Sequence, residues 1–289
     1  MVQFYMNLQN SPIQKVKFNK FEYYVKRDDL LNNDFSGNKA RKFYHFLVND
    51  FPNIKKVVSH GSAQSNAMYS LSVLCKLKNW NFEYYVDHIA TFLKENPIGN
   101  YKAALQNGMK IFEKELAKKF DENTLFISEG GAVKEAKLGI EKLAKEIEFW
   151  ANENQIKKLK VFLPSGTGTT ALYLQRYLSF EVMTCACVGD EEYLQKQFEY
   201  LENDNFPTIL KREKKYHFGK LYKEFYEIHK ELIKQTNIEF DLLYDSLGWL
   251  VFEKYVKENY DENTKYLYIH QGGILGNTSM IQRYIYKYD

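Results

Sequence analysis

Ser36-Gly37-Asn38-Lys39-Ala40-Arg41-Lys42, running on into Phe43-Tyr44-His45-Phe46-Leu47, is the stretch around which the chain is read. A Ser-Gly-Asn turn precedes apolar residues at Phe43, Phe46 and Leu47, which is helical spacing with a turn signal at its start. Lys39 then lies near the positive end of the helix dipole, which disfavours its ammonium form. A neutral amine at working pH is what a Schiff-base lysine needs. The plain alternative is a solvated lysine among three cations in four positions, Lys39, Arg41 and Lys42. The motifs downstream decide between the two.

Working outward, short apolar runs alternate with helical patterns. Phe21 to Val25 reads as a strand, and the lysine helix ends before Pro52. Lys56 to Ser59 is a β-branched run of the kind buried in parallel sheets, and it breaks at His60-Gly61-Ser62 before a helix from Ser65 to about Leu77. Phe82 to Val86 and Met109 to Phe112 are strand-like, with a helix from Gly99 to about Gln106 between them; a charged helix is expected after Phe112, then a strand at Thr124 to Ile127. A long amphipathic helix covers about Lys134 to Trp150. The second half repeats the alternation. Strands are expected at Leu159 to Leu163, Glu181 to Val188 and Tyr266 to Ile269, and helices at Thr170 to Leu178, Glu191 to Leu201, Leu221 to Lys234 and Leu247 to Val256. Such alternation means an α/β fold with parallel sheet, whose ligands bind beyond the carboxyl ends of the strands. The polar glycine turns after Ser59, Leu163 and Ile269 fall there.

Length and composition bound the rest. The 289 residues suit one large or two medium domains, and 45% hydrophobic residues suffice for a buried core. A formal net charge of +3 with interspersed signs gives no basic stripe for nucleic acid. No apolar run approaches the length of a membrane span, and Met1 to Gln9 lacks the pattern of a signal peptide. The three cysteines, Cys75, Cys185 and Cys187, are too few for a disulfide framework, and Cys185 and Cys187, on one side of a strand-like run, read as buried thiols. No His or Cys cluster stands at metal-ligand spacing. A cytoplasmic protein is expected.

Three constellations carry chemistry. Ser165-Gly166-Thr167-Gly168-Thr169-Thr170 follows an apolar strand and opens a helix, so its amides can curl round an anion at a helix N-terminus. No Gly-Lys-Ser/Thr ends it, and its glycine spacing is not that of a dinucleotide fold. The plain alternative is a tight strand-to-helix turn. Ser62-Ala63-Gln64-Ser65-Asn66 offers short donors for a carboxylate or phenolic oxygen, or simply a helix cap at Ser65. Tyr244-Asp245 places a carboxylate where it could pair with a protonated ring nitrogen, or where it could cap a helix beginning near Ser246.

In this order the pieces resemble the 1-aminocyclopropane-1-carboxylate deaminase and D-cysteine desulfhydrase family, pyridoxal-phosphate enzymes of the tryptophan-synthase-β-like fold type. The motifs that carry the resemblance are Lys26-Arg27-Asp28-Asp29-Leu30, Ser36 to Lys42, Gln64-Ser65-Asn66, Glu129-Gly130-Gly131, Ser165 to Thr170, and His270-Gln271-Gly272-Gly273. The resemblance implies two parallel-sheet α/β domains, with 1–42 and 129–289 as the larger and 43–128 as a smaller insertion. It implies pyridoxal 5'-phosphate between them, carried by Lys39 as a Schiff base. Asn66 would meet the ring hydroxyl oxygen, Gly166, Thr167, Gly168, Thr169 and Thr170 the phosphate, and Asp245 the ring nitrogen. Gln64 and Ser65 would bind the substrate carboxylate, with Ser65 and Tyr244 near the reacting bonds and Gln271 beside the substrate. A homodimer is implied as well.

Two departures stand out. Phe218-Gly219 occupies the place of a second active-site tyrosine of the deaminases, and Gln271 matches neither the deaminases nor the desulfhydrases. The expected activity is conversion of a small amino acid to a 2-oxo acid and ammonia. A cofactor-binding protein with little turnover is the second reading, and a phosphate-ligand binder without pyridoxal chemistry the third.

Overall fold

The computed structural model describes residues 8–35, 37–117 and 119–289. Ser36 and Met1 to Asn7 lie outside the described residues, as does Lys118. In chain order the elements are β1 (Ile13–Phe18), β2 (Phe21–Arg27), α1 (Gly37–Val48), β3 (Lys56–His60), α2 (Asn66–Lys78), β4 (Asn81–Val86), α3 (Thr91–Glu95), α4 (Gly99–Gln106), β5 (Lys110–Glu113) and β6 (Thr124–Ile127). They continue with α5 (Lys137–Glu153), β7 (Leu159–Ser165), α6 (Thr169–Tyr177), β8 (Glu181–Ala186), α7 (Glu191–Leu201), β9 (Thr208–Ile209), α8 (Lys223–Thr236), α9 (Asp245–Glu258), β10 (Lys265–His270) and α10 (Asn277–Tyr288).

The strands form two sheets. The larger has the order β1-β2-β10-β7-β8-β9 and the smaller β5-β4-β3-β6. Every pairing is parallel except β1 with β2, an antiparallel edge hairpin. Period-2 side-chain alternation sorts the larger sheet's residues to its two faces. Val161, Leu163, Leu267 and Ile269 join the core built with α5, α6 and α7. Phe162, Tyr266 and Tyr268 join the opposite core with α8, α9 and α10, where Trp249 stacks on Tyr268 at 4.4 Å. Central strands buried on both faces read as continuous apolar runs, which is why β7 and β10 are plain in the sequence. A third core joins the smaller sheet to α1, α2 and α4.

Some expectations need correction. Residues 114–117 and 119–123 form no helix, because only Leu116, Ala117 and Phe120 among them could supply an apolar face. Asp245 rather than Leu247 begins α9. Four elements carried no legible signal: β1, an edge strand whose Lys15 and Lys17 share an exposed face and whose Gln14 is exposed on the other, the short α3 and β9, and α10. No helix among the described residues is long and apolar enough to cross a membrane.

Helix α1 packs against α2 of the smaller sheet on one side and α5 of the larger on the other. Its Arg41 is buried between Asp28 and Glu146, at 2.8 Å and 2.7 Å, and Lys26 reaches Glu146 at 2.6 Å. This ion cluster anchors the lysine helix at the junction of the two sheets. Burial alone would push the Asp28 and Glu146 carboxyls up, but the Arg41 guanidinium reverses that and holds both below their ordinary values.

Candidate active site

The loops at the carboxyl ends of β3, β7 and β10 converge with the first turns of α1, α6 and α9 on one cavity of about 370 Å³, of the size that takes a small-molecule ligand. Every candidate residue named from the sequence lines it: Lys39, Gln64, Ser65, Asn66, Gly166, Thr167, Gly168, Thr169, Thr170, Phe218, Tyr244, Asp245 and Gln271. The lysine and the glycine-threonine loop, far apart in sequence, therefore face the same space.

Lys39 is in the first turn of α1, its Nζ 3.4 Å from Asn38 Oδ1. Its amine is lowered to about 8, because burial disfavours the charge more than the nearby Asp241 carboxylate restores it. Enclosure by protein therefore acts on Lys39 in the same direction as the helix dipole expected from sequence. Lys42 lies three residues on, hence on the same helical face. It is buried, donates to Gly130 O at 3.0 Å and to Thr167 Oγ1 at 3.5 Å, and has no carboxylate partner among the described residues. Burial, then the charge of Lys39, keeps its amine well below the ordinary value.

The loop after β7 is built for an anion. Gly168 precedes α6 with no side-chain cap, so no side chain satisfies the amides of that helix's first turn. Gly168 has φ +72°, and a Cβ there would fall 2.3 Å from the Phe198 ring, so only glycine serves. Thr167 and Thr169 hydroxyls are 3.1 Å apart, while Ser165 is turned away to Thr184 at 2.7 Å.

Ser65 caps α2, its Oγ accepting from the Ala67 and Met68 amides, and its hydroxyl proton remains available to the cavity it lines. Asn66 follows. Buried Asn100 donates to Gln64 O at 3.0 Å and to Asn66 Oδ1 at 2.6 Å. Because a backbone carbonyl can only accept, the Asn100 nitrogen is fixed as a donor, and this sets the Asn66 amide with its oxygen toward Asn100 and its Nδ2 as the donor on the side of Asp241.

Two acids lie at the start of α9. Asp241 Oδ1 accepts from the Leu243 and Tyr244 amides in the turn before α9, and no side chain caps the helix, so Asp245 does not do the capping that the sequence offered it. Its Oδ2 is buried without a hydrogen-bond partner, and the group is raised to about 7 by burial. Asp245 accepts from Tyr268 Oη at 2.8 Å and from the Asp241 amide at 3.0 Å. Burial and the Asp241 charge push it up. The Tyr244 ring lies 5.1 Å from Phe218, whose side chain is half exposed at the cavity mouth. The two atoms at the end of the Gln271 side chain are both engaged within the protein, by Asn38 at 2.8 Å and Pro164 O at 2.6 Å.

Sequence reasoning missed Lys42, Asn100 and Asp241. The i, i+3 spacing from Lys39 signals Lys42; Asn100 carries no local signal, because a distant helix delivers it. Asp241 four residues before Asp245 offers only an ambiguous cap.

The architecture is the tryptophan-synthase-β-like fold. No family model matches the chain, and no curated protein matches it by sequence. Solved structures do. One reported as an ACC deaminase homologue matches with a TM-score of 0.79 at 19% identity, over 97% of this chain and 94% of that one. A hydrogen sulfide-producing enzyme from Fusobacterium nucleatum matches with a TM-score of 0.65 at 14% identity, over 92% and 94%. A threonine deaminase isoform from Solanum lycopersicum, in its processed form, matches with a TM-score of 0.61 at 13% identity, over 94% and 82%. The resemblance seen in the motifs thus extends to the fold of nearly the whole chain.

Proposed function

We propose that the chain is a pyridoxal-phosphate-dependent enzyme that converts a small amino acid to a 2-oxo acid and ammonia, in the manner of a D-cysteine desulfhydrase or a 1-aminocyclopropane-1-carboxylate deaminase. The observation that carries this reading is a half-buried lysine of depressed basicity opening onto the same cavity as an uncapped glycine-threonine cup.

The donor set fits the cofactor. The amides of Gly166 to Thr170 and the Lys42 cation suit a phosphate, and the Asn66 Nδ2 donor suits a phenolic oxygen. Asp245 is the acid for the ring nitrogen, and the buried Asp241 beside it makes the end of the cavity acidic. When bound, pyridoxal phosphate supplies an electron sink for a substrate carbanion.

The chain's own residues do the rest. Lys39 Nζ is the cofactor's attachment point and the base for the substrate's α-proton, and its enclosure favours the neutral form that both tasks need. Gln64 and the Ser65 hydroxyl receive the substrate carboxylate. Tyr244 supplies the phenol at the reacting side chain. Phe218 presents a bare ring where a second phenol would aid ring opening, which favours loss of a β-substituent such as sulfide over opening of a cyclopropane. The 2-oxo acid follows by hydrolysis once the substituent has left. The protein is expected to work as a homodimer.

The test is a visible spectrum with pyridoxal phosphate, then an assay of the 2-oxo acid after D-cysteine and after 1-aminocyclopropane-1-carboxylate. A yellow protein that converts D-cysteine, with colour and conversion both lost in Lys39→Ala, is the expected result. Colour without conversion of any amino acid would favour a binding protein, and a colourless protein would overturn the proposal.

A further inference from the structure

Gln271 sits just beyond β10, at a position where sequence alone suggests a substrate contact. Its carboxamide is already used. Nε2 donates to Pro164 O at 2.6 Å, and Oε1 accepts from Asn38 Nδ2 at 2.8 Å. Its backbone oxygen accepts from the Asn38 amide at 3.0 Å. The approach at that point is so close that a Cβ on Gly37, whose φ is +65°, would fall 1.9 Å from the same oxygen. Asn38 also reaches Thr170 Oγ1 at 3.5 Å. One residue therefore joins the end of β10, the turn of α1 that carries Lys39, and the end of β7 that runs into the anion cup. The link needs a donor and an acceptor on one side chain of this length. Glutamate would set a carboxylate against the Pro164 carbonyl, and leucine or methionine would leave both partners unmet.

We infer that Gln271 is a positioning residue that fixes the spacing between Lys39 and the phosphate cup, so that a ligand anchored by its phosphate presents its aldehyde to Lys39 Nζ. This rests on the proposed cofactor. It moves Gln271 from reading the substrate to holding the two halves of the cofactor site in register.

The test compares two ligands on the full chain and on Gln271→Met. Pyridoxine 5'-phosphate has the ring and phosphate but no aldehyde, so it reports the cup alone. Pyridoxal 5'-phosphate reports the cup and its distance to Lys39, read as visible absorbance. In Gln271→Met, pyridoxine phosphate affinity stays within about twofold, while capture of pyridoxal phosphate weakens about tenfold or more, as expected for two lost buried hydrogen bonds that act on geometry. Gln271→Glu behaves likewise. Equal losses for both ligands, which general loosening would produce, overturn the inference, as does no loss for either. Should Gln271→Met not fold, Asn38→Ala cuts the same link from the other side and faces the same two outcomes. Should the unaltered chain never capture pyridoxal phosphate, the functional reading falls. The positioning role is then decided by hydrogen exchange in ligand-free Gln271→Met: faster exchange over residues 37–42 upholds it, and unchanged exchange overturns it.

Discussion

Replacing Lys39 by methionine should stabilise the cofactor-free protein, and only at pH values where a free lysine would be charged. The fold holds this amine at about 8 against an ordinary 10.5, chiefly by burial. At pH 7 that leaves about one molecule in ten with a neutral amine, where an exposed lysine would give about one in three thousand. The unfolded chain binds the proton more readily between these two values, so stability must rise with pH across that window. Below pH 8 the charged, enclosed Lys39 costs the fold up to about 3 kcal/mol, which Lys39→Met removes. Lys42 adds to the effect with the same sign, because the Lys39 charge helps depress it. Any packing difference between lysine and methionine is independent of pH and shifts the whole curve. The assay is urea unfolding of both proteins from about pH 6.5 to about pH 10. The variant's advantage should be greatest near neutrality and shrink as the pH climbs from 8 toward 10.5. A constant difference, or one that grows with pH, would refute the claim that enclosure weakens the amine's hold on its proton, and with it the physical basis for Lys39 as nucleophile.

Two further outcomes follow from the same geometry. Asn100→Ala should free the Asn66 amide to rotate and weaken pyridoxine 5'-phosphate binding by about threefold to tenfold, and, with both Asn100 hydrogen bonds lost, cost about 1–3 kcal/mol in urea unfolding; unaltered binding in a calorimetric titration would show that Asn66 is oriented by something else. Arg41→Met should strand Asp28 and Lys26 with Glu146 in the interior and cost about 3–5 kcal/mol in urea unfolding near pH 7. The deficit should narrow in acid, because the wild-type contribution is lost as pH falls through the depressed folded-state values of Asp28 and Glu146.

The sequence by itself determined the alternation of elements, because β7 and β10 are apolar on both faces and the helices between them carry a 3.6-residue stripe. It also determined where the loops must lie, since glycine and short hydroxyl residues follow those strands directly. These are local properties, written in periods of two and 3.6 and in turn chemistry. It missed β1, an edge strand of mostly exposed polar residues held by its hairpin partner β2, and α10, whose stability comes from partners remote in sequence. Tertiary structure alone decided that Lys39 and the Ser165 to Thr170 loop face one cavity. It alone showed that enclosure depresses Lys39, and that Asn100 orients Asn66. It also left α9 without a side-chain cap and tied Gln271 to Asn38 and Pro164. Desolvation and long-range hydrogen bonding depend on what surrounds an atom in space, and no spacing along the chain encodes that.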